Sequence, residues 1–464
     1  MENDRVCKEN GEYDDLELYA GESLPLEDLL WEKVSLLQSQ NQDIAFFLAD
    51  LGEIYSKLED WRRLLPRVEP FFAVKCNSQP VVTRFLADAG VGFDCASKME
   101  IEQILNLGVH PSRIVYANPF KQSSYLTYAA RHNVDLMAFD DIHELIKINE
   151  YFPCARLILR MATRGEVKVL HKFNNKFGCP LKQCGMLLTQ ALDMKMNVVG
   201  VSFHIGGQPE QVDCFSTAIE DAHQVFKIGL ALGFQMHILD IGGGFPGRDM
   251  GNISFAKTDS IPGTGSTSCE HIIRQYFPPS DGVRVIAEPG RYFVTTSFTL
   301  AVKVIAKKVV NEADISANKN DSLYNGGNMI DDDSLLHMYI INQGIYGIFA
   351  NVVIDKAPIS LQLLQEKENS QVSRPRRSKI FGPTCAGCDC LMSECRLPEV
   401  QVGQWFYFRN MGAYSFSLAS GFNGIELPLV FPVCSKQNCP PKKQPLKSTQ
   451  PINAGIDLQL CKHF

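Results

Sequence analysis

Lys75 closes an apolar run, Pro70-Phe71-Phe72-Ala73-Val74-Lys75-Cys76-Asn77, and stands where a buried segment meets a polar loop. An amine at the edge of a core is costly unless it is paired or chemically used. Desolvation lowers an amine's pKa and suits it to form a Schiff base with an aldehyde. Taken alone, the run is better explained by a lysine that reaches back to solvent from a strand end. Other residues change that balance. Gly242-Gly243-Gly244 and Glu288-Pro289-Gly290-Arg291 close two later apolar runs. Bare glycine amides and a planar guanidinium together suit a phosphate. Glu288, set in VIAEPG, is either a salt-bridge partner of Arg291 or a partner for a protonated ring nitrogen. His204, in VSFHIGG, can lay its flat ring on a planar cofactor. Lysine, carboxylate, histidine, glycine triplet and arginine together describe a pyridoxal-phosphate site better than any one of them does.

These residues need elements to hold them. From about residue 45, apolar runs recur, each ending in a polar residue or a glycine: FFAVK, VGFDC, IVYAN, LMAFD, LILR, VVGVSFHIGG, HILDIGGG and VIAEPGR. Helical patterns such as QPVVTRFLADAG and MEIEQILNLG lie between them. Continuous apolar strands alternating with helices predict a parallel sheet buried on both faces. Eight such units predict a (β/α)8 barrel of the α/β class, over an open doubly wound sheet, with polar groups at its C-terminal mouth. Beyond residue 294 the segments FTLAVKVIAKKVV, MYIINQGIYGIF and QWFYFRNMGAYSF predict an antiparallel β domain. The expected organisation is residues 1–44 joining that β domain, 45–293 as the barrel, 294–434 as the β domain, and 435–464 as a flexible tail.

Bulk properties narrow the class. The 464 residues are 45% hydrophobic and 21% charged, with net charge −7 and pI near 5.9. That composition is globular, and its acidity argues against a general nucleic-acid binder. No apolar stretch is long enough to cross a membrane, and the acidic start MENDRVCKENGEYDD is no secretory signal. Fifteen cysteines then predict reduced thiols in the cytoplasm. The CAGCDC cluster holds a single C-x-x-C without a matched second pair, which is a weak zinc signal, and no metal is expected.

The segments FFAVKCN, GFDCASKMEIE, RIVYANPFKQ, KFG, VSFHIG, LDIGGGFPG, AEPGRYFV, FGPTC and NMGAY carry a resemblance over residues 40–432. The chain resembles the eukaryotic ornithine decarboxylase family of fold-type III pyridoxal-phosphate enzymes, which includes the inactive antizyme inhibitors. The resemblance implies a barrel plus a β domain and a homodimer with active sites at its interface. It implies that Lys75 holds pyridoxal 5'-phosphate, that His204 stacks on its ring, and that Glu288 pairs the ring nitrogen. Gly207, Gly243, Gly244, Gly290, Arg291 and Tyr414 would serve the phosphate end, and Asp94 and Arg160 would support the bond to Lys75. Cys385, from the second subunit, would protonate the substrate carbon after CO2 leaves. A thiol suits that step because its ordinary pKa lies near the working pH. Phe422 would line the substrate pocket, with Asp389 nearby.

Three positions depart from the family pattern. Ornithine decarboxylases hold the substrate's distal ammonium with two aspartates; here those positions are Gln343, in INQGIYG, and Ala386, in FGPTCAGCD. Gly207 stands where the family commonly has a serine. A buried ammonium without a counter-charge costs several kcal/mol. Decay of the site would not spare the cofactor residues while removing only the two carboxylates. The expectation is therefore a decarboxylase of a neutral aliphatic amino acid, leucine above all. The alternatives are ornithine decarboxylation in polyamine biosynthesis, or an inactive antizyme-inhibitor-like regulator. In the segment that antizyme recognises in the family, residues 121–147, Lys147 is kept, but Thr127, Asp141 and His143 change the charge, so weak or absent antizyme binding is expected.

Overall fold

A computed structural model describes residues 16–19, 25–164, 169–171, 176–209, 214–249, 255, 269–311, 335–365 and 374–435. Two compact units emerge, one of Ile54–Thr295 and one that joins the chain up to Glu53 with the chain from Thr296.

The first unit is a closed barrel of eight parallel strands. In chain order they are β1 (Val68–Ala73), β2 (Gly92–Cys95), β3 (Ile114–Tyr116), β4 (Leu136–Phe139), β5 (Arg156–Arg160), β6 (Asn197–Ser202), β7 (Ile238–Asp240) and β8 (Arg284–Ala287). Each pairs with the next, and β8 closes on β1 through Val285↔Val68. All eight apolar runs of the sequence supply a strand. Phe71, Val115, Leu136, Ile158, Val199, Ile238 and Ile286 meet in the interior, so the barrel is packed rather than hollow. The helices Pro80–Asp88 and Lys98–Asn106 fall where the apolar spacing placed them. The second carries Ser97 as its N-cap, which accepts from the Glu100 amide. Fit between strands is close at one point: a Cβ on Gly200 of β6 would lie 2.2 Å from the Ile238 carbonyl on β7.

The second unit is built on a nine-stranded sheet. Its long strand Phe298–Asn311 pairs antiparallel with Phe46–Asp50, Leu335–Ile341 and Trp405–Phe408. Parallel pairs join Leu429–Ser435 to Phe46–Asp50, Glu17–Tyr19 to Leu429–Ser435, and Leu335–Ile341 to Arg376–Phe381, so the sheet is mixed rather than purely antiparallel. The amphipathic segment LEDLLWEKVSLLQ forms helix Leu26–Ser39, which packs Leu29, Leu30, Val34 and Leu37 against Phe46, Trp405 and Tyr407.

The boundary between the units differs from the expected residue 45. Strand Phe46–Asp50 is apolar like a barrel strand, yet its partners are Phe298–Ala301 and Leu429–Val433. Residues 45–53 therefore belong with the sheet. The tail from 436 onward lies outside the described residues. Among the described residues no helix is long and apolar enough to cross a membrane, and no three His, Cys, Asp or Glu side chains group as a metal would require.

Candidate active site

Lys75 lies on the short turn Val74–Cys76 directly after β1, and its Nζ donates to Asp94 on β2. The register Ala73↔Asp94 that builds the barrel also sets this ion pair. Asp94 is fully buried, while Lys75 keeps 41% of its side-chain surface. Asp94 Oδ1 has no hydrogen-bond partner among the described residues. A buried carboxylate satisfied on one oxygen only reserves an acceptor for an incoming donor.

Arg160 ends β5 and lays its guanidinium over the Phe177 ring at 4.8 Å. His204 follows β6. Its Nδ1 accepts the Gly206 amide at 3.0 Å, so the proton of the neutral ring sits on Nε2. Burial, and then the cations Arg160, Lys75 and Arg291, hold the imidazole well below its ordinary range. It therefore offers a flat, uncharged ring at pH 7.

The glycine triplet follows β7 and presses bare backbone against this histidine. A Cβ on Gly243 would lie 2.9 Å from His204 Nε2, and one on Gly244, at φ +108°, would lie 2.7 Å from Ile205 Cγ1. Only glycine allows that approach, and side-chain-free backbone of this kind is what a phosphate cradle requires. Gly207 opens the short strand Gly207–Pro209 just beyond.

Glu288 follows β8, and its amide donates to the Gly242 carbonyl at 2.7 Å. The Pro289 carbonyl accepts from Ala73 at 3.2 Å, and a Cβ on Gly290 would lie 2.8 Å from Cys76 Cβ. The turn carrying Glu288 and Arg291 is thereby pinned to the turn carrying Lys75. Beside Glu288 is Asp240, the last residue of β7, 2% exposed. Its Oδ1 accepts the Gly242 amide at 2.9 Å, and its carboxyl shares a hydrogen bond with Glu288. Burial pushes both carboxyls up, and for Glu288 repulsion from Asp240 adds to it. Glu288 is half-buried, whereas Asp240 has almost no exposed surface. Desolvation of Glu288 is strong all the same, because the barrel walls surround it.

Two further strand-end residues tie loops. Asn118 Oδ1 accepts the Phe120 amide and Asp140 Oδ2 accepts the Gly178 amide at 2.7 Å, while Asp140 Oδ1, like Asp94 Oδ1, is buried without a partner among the described residues.

The β unit gathers its own set. Cys385 is exposed, and its amide donates to Asn423 Oδ1 at 3.1 Å. Ala386 is its half-buried neighbour. Gln343 is 2% exposed, and its Nε2 donates to the Glu426 carbonyl at 2.7 Å while Oε1 is buried without a partner among the described residues. Phe422 is 44% exposed and packs on Tyr346 with ring centroids 4.6 Å apart. Tyr414 sits at φ +59° just before helix Ser415–Leu418.

Asp389, expected near the substrate, is held within the β unit. It is 1% exposed, and its carboxylate accepts the amides of Ile345 (2.9 Å) and Thr384 (3.1 Å) and the Thr384 hydroxyl (2.6 Å). A Cβ on Gly344 or Gly382 would lie 2.3 Å from its Oδ1. Asp389 therefore ties the 343–346 and 382–386 turns together. Asp389→Ala is expected to cost about 3 kcal/mol, because buried donors lose their acceptor. Urea unfolding checks this; an unchanged midpoint would mean the carboxylate is free for other work.

Residues 51–295 match the pyridoxal binding domain of the pyridoxal-dependent decarboxylases. Ornithine decarboxylase of Mus pahari is 41% identical over 415 residues, covering 89% of this chain and 86% of that one. The chain belongs to the pyridoxal-dependent decarboxylase family. Antizyme inhibitor 2 of Xenopus laevis is 42% identical over 399 residues, covering 86% and 83%. Among solved structures, the arginine decarboxylase of Paramecium bursaria Chlorella virus bound to agmatine superposes with a TM-score of 0.75 at 30% identity, covering 88% of this chain and all of that one. An SrLDC variant in complex with PLP gives 0.73 at 30% identity, covering 86% and 94%.

As a pyridoxal-dependent decarboxylase of the ornithine, arginine and lysine type, the chain takes pyridoxal phosphate as its cofactor. The barrel residues fit that group: an orphaned acceptor on Asp94, a neutral flat ring at His204, a bare glycine cradle, and a carboxyl at Glu288. The barrel unit brings together Lys75, Asp94, Arg160, His204, Gly207, Gly243, Gly244, Glu288, Gly290 and Arg291, while Gln343, Cys385, Ala386, Asp389, Tyr414 and Phe422 lie in the β unit. Sequence reasoning missed Asp240, and the signal was present: an Asp two residues before a Gly is the pattern of a side chain capping its own turn.

Proposed function

We propose that this pyridoxal-phosphate enzyme decarboxylates a neutral aliphatic L-amino acid, L-leucine first, with methionine, norvaline and isoleucine close to it. The observation that carries the reading lies at three β-unit positions. Gln343 is an amide held to the Glu426 carbonyl, Ala386 has no polar side-chain atom, and Asp389 spends its carboxylate on three donors. Gln343 and Ala386 offer no charge to a distal ammonium, Asp389 is buried with its oxygens turned to those donors, and Phe422 on Tyr346 adds an apolar surface.

Bound pyridoxal phosphate supplies the electron sink for the pair left on the α-carbon when CO2 departs. The chain's own residues do the rest. Lys75 anchors the cofactor beside Asp94 and Arg160. Glu288 keeps a proton at the ring nitrogen, and His204 holds the ring flat. The glycines, Arg291 and Tyr414 take the phosphate. Cys385 delivers the proton to the α-carbon, serving a second copy of the chain in a cytoplasmic homodimer.

Ornithine is the second reading, favoured by ornithine decarboxylases of about 40% identity. The Xenopus relative favours a third, a non-catalytic antizyme binder. Against the third, Lys147 is ion-paired with Glu144 and Thr127 carries no charge, so antizyme capture should be weak. Product analysis after incubation with single amino acids and pyridoxal phosphate separates the three. 3-Methylbutylamine from leucine supports the proposal, and putrescine from ornithine supports the second reading. Antizyme pull-down with no amine formed supports the third.

A further inference from the structure

We propose that Asp240 is a positioning residue for the cofactor's ring nitrogen, aiming Glu288 and keeping a negative charge behind it. The inference rests on the cofactor assignment and is independent of the substrate. Asp240 is the last residue of β7 and is 2% exposed, a depth at which an acid needs a partner. It has two. Its Oδ1 accepts the amide of Gly242, which opens the glycine triplet, and its carboxyl shares a hydrogen bond with Glu288. The Glu288 amide in turn donates to the Gly242 carbonyl at 2.7 Å. One side chain thus joins the phosphate cradle to the acid expected at the ring nitrogen, and fixes where both stand.

The same contact sets charge. Two carboxyls in hydrogen-bond reach in a buried place cannot both ionise freely, so they retain a proton between them. Burial is the first cause of the raised pKa in each. Asp94 raises both further, while Lys75 opposes this at Glu288 and Arg160 opposes it at both. The hydrogen bond works against the shift at Asp240, so Asp240 is the member of the pair that ionises first and Glu288 the one that keeps its proton longer. A ring nitrogen meeting Glu288 therefore meets a proton backed by an anion, the setting that keeps a pyridine protonated.

Linkage gives the pair a signature without cofactor. The folded state holds a proton that the unfolded chain loses near pH 4, so apoprotein stability falls as pH rises from about 4 toward the raised pKa values. Asp240→Asn keeps the shape and the acceptor for Gly242 and removes only the charge. We expect it to flatten that decline in the apoprotein, to weaken pyridoxal-phosphate binding about tenfold, and to lower the pH at which the bound cofactor's visible band changes by about one unit. Glu288→Gln should flatten the apoprotein decline in part, because burial alone still raises Asp240, and Asp240→Asn added to it should flatten it further by less than Asp240→Asn does in the parent. Two outcomes would overturn the proposal: Asp240→Asn leaving both slope and band midpoint at parental values, or Asp240→Asn changing the slope equally with and without Glu288. If Asp240→Asn folds poorly, Asp240→Glu gives the second test, since it restores the charge and should keep the band midpoint while Asp240→Leu loses it.

Discussion

Lys75→Arg should abolish decarboxylation while leaving the protein folded. The guanidinium can keep the ion pair with buried Asp94, so the barrel retains its charge balance. It stays protonated at any working pH and cannot attack an aldehyde. Turnover is expected to fall on the order of 10³-fold or more, as when a covalent anchor is removed. Lys75→Ala should lose activity and stability together, because Asp94 is then a buried charge without its cation, at about 3–5 kcal/mol. Turnover and thermal unfolding measured on both variants separate the two roles. Equal destabilisation in both would show that Lys75 serves the fold through more than its charge, and retained turnover in Lys75→Arg would contradict the anchor role.

Ala386→Asp should move the substrate preference toward ornithine by about 10²-fold, since pairing a desolvated ammonium is worth about 3 kcal/mol and each 1.4 kcal/mol is tenfold. Gln343→Asp should do less and harm the fold. Gln343 Nε2 satisfies the Glu426 carbonyl at 2.7 Å, and a carboxylate there would leave that carbonyl unpaired and facing an anion. Gln343→Asp alone should cost about 1–3 kcal/mol of stability for the same reason. The ratio of kcat/KM for ornithine over leucine in parent, single and double variants checks this. No movement in Ala386→Asp would mean that other residues set the specificity.

The barrel was legible because its strands are buried on both faces. Each reads as a continuous apolar run, and the residue that ends it faces the mouth. That same regularity misplaced the boundary. FFLAD at 46–50 has the texture of a barrel strand, and only its pairing with residues 298–301 and 429–433, far away in sequence, shows that it belongs to the sheet. The mixed direction of that sheet was hidden for a similar reason, since parallel and antiparallel partners leave no separate mark on a β-branched segment. Within the site, Lys75, His204, Glu288 and the glycine triplet stood out because each breaks an apolar pattern. Asn118 breaks it in the same way and ties its own loop instead, a difference that only its hydrogen-bond partner reveals. The tie that Asp389 makes to Ile345 and Thr384 has no mark in the sequence, because its donors lie on backbone amides and a nearby hydroxyl. Asp240 was overlooked because the glycines beside it explained the motif without it.

We propose that the protein keeps the cofactor chemistry and has lost the distal charge pocket. The most direct test is the ratio of kcat/KM for leucine to that for ornithine, measured as CO2 release by the pyridoxal-phosphate-loaded protein. A ratio well above one is predicted, with methionine, norvaline and isoleucine intermediate and lysine below them. Turnover confined to ornithine and lysine would contradict it.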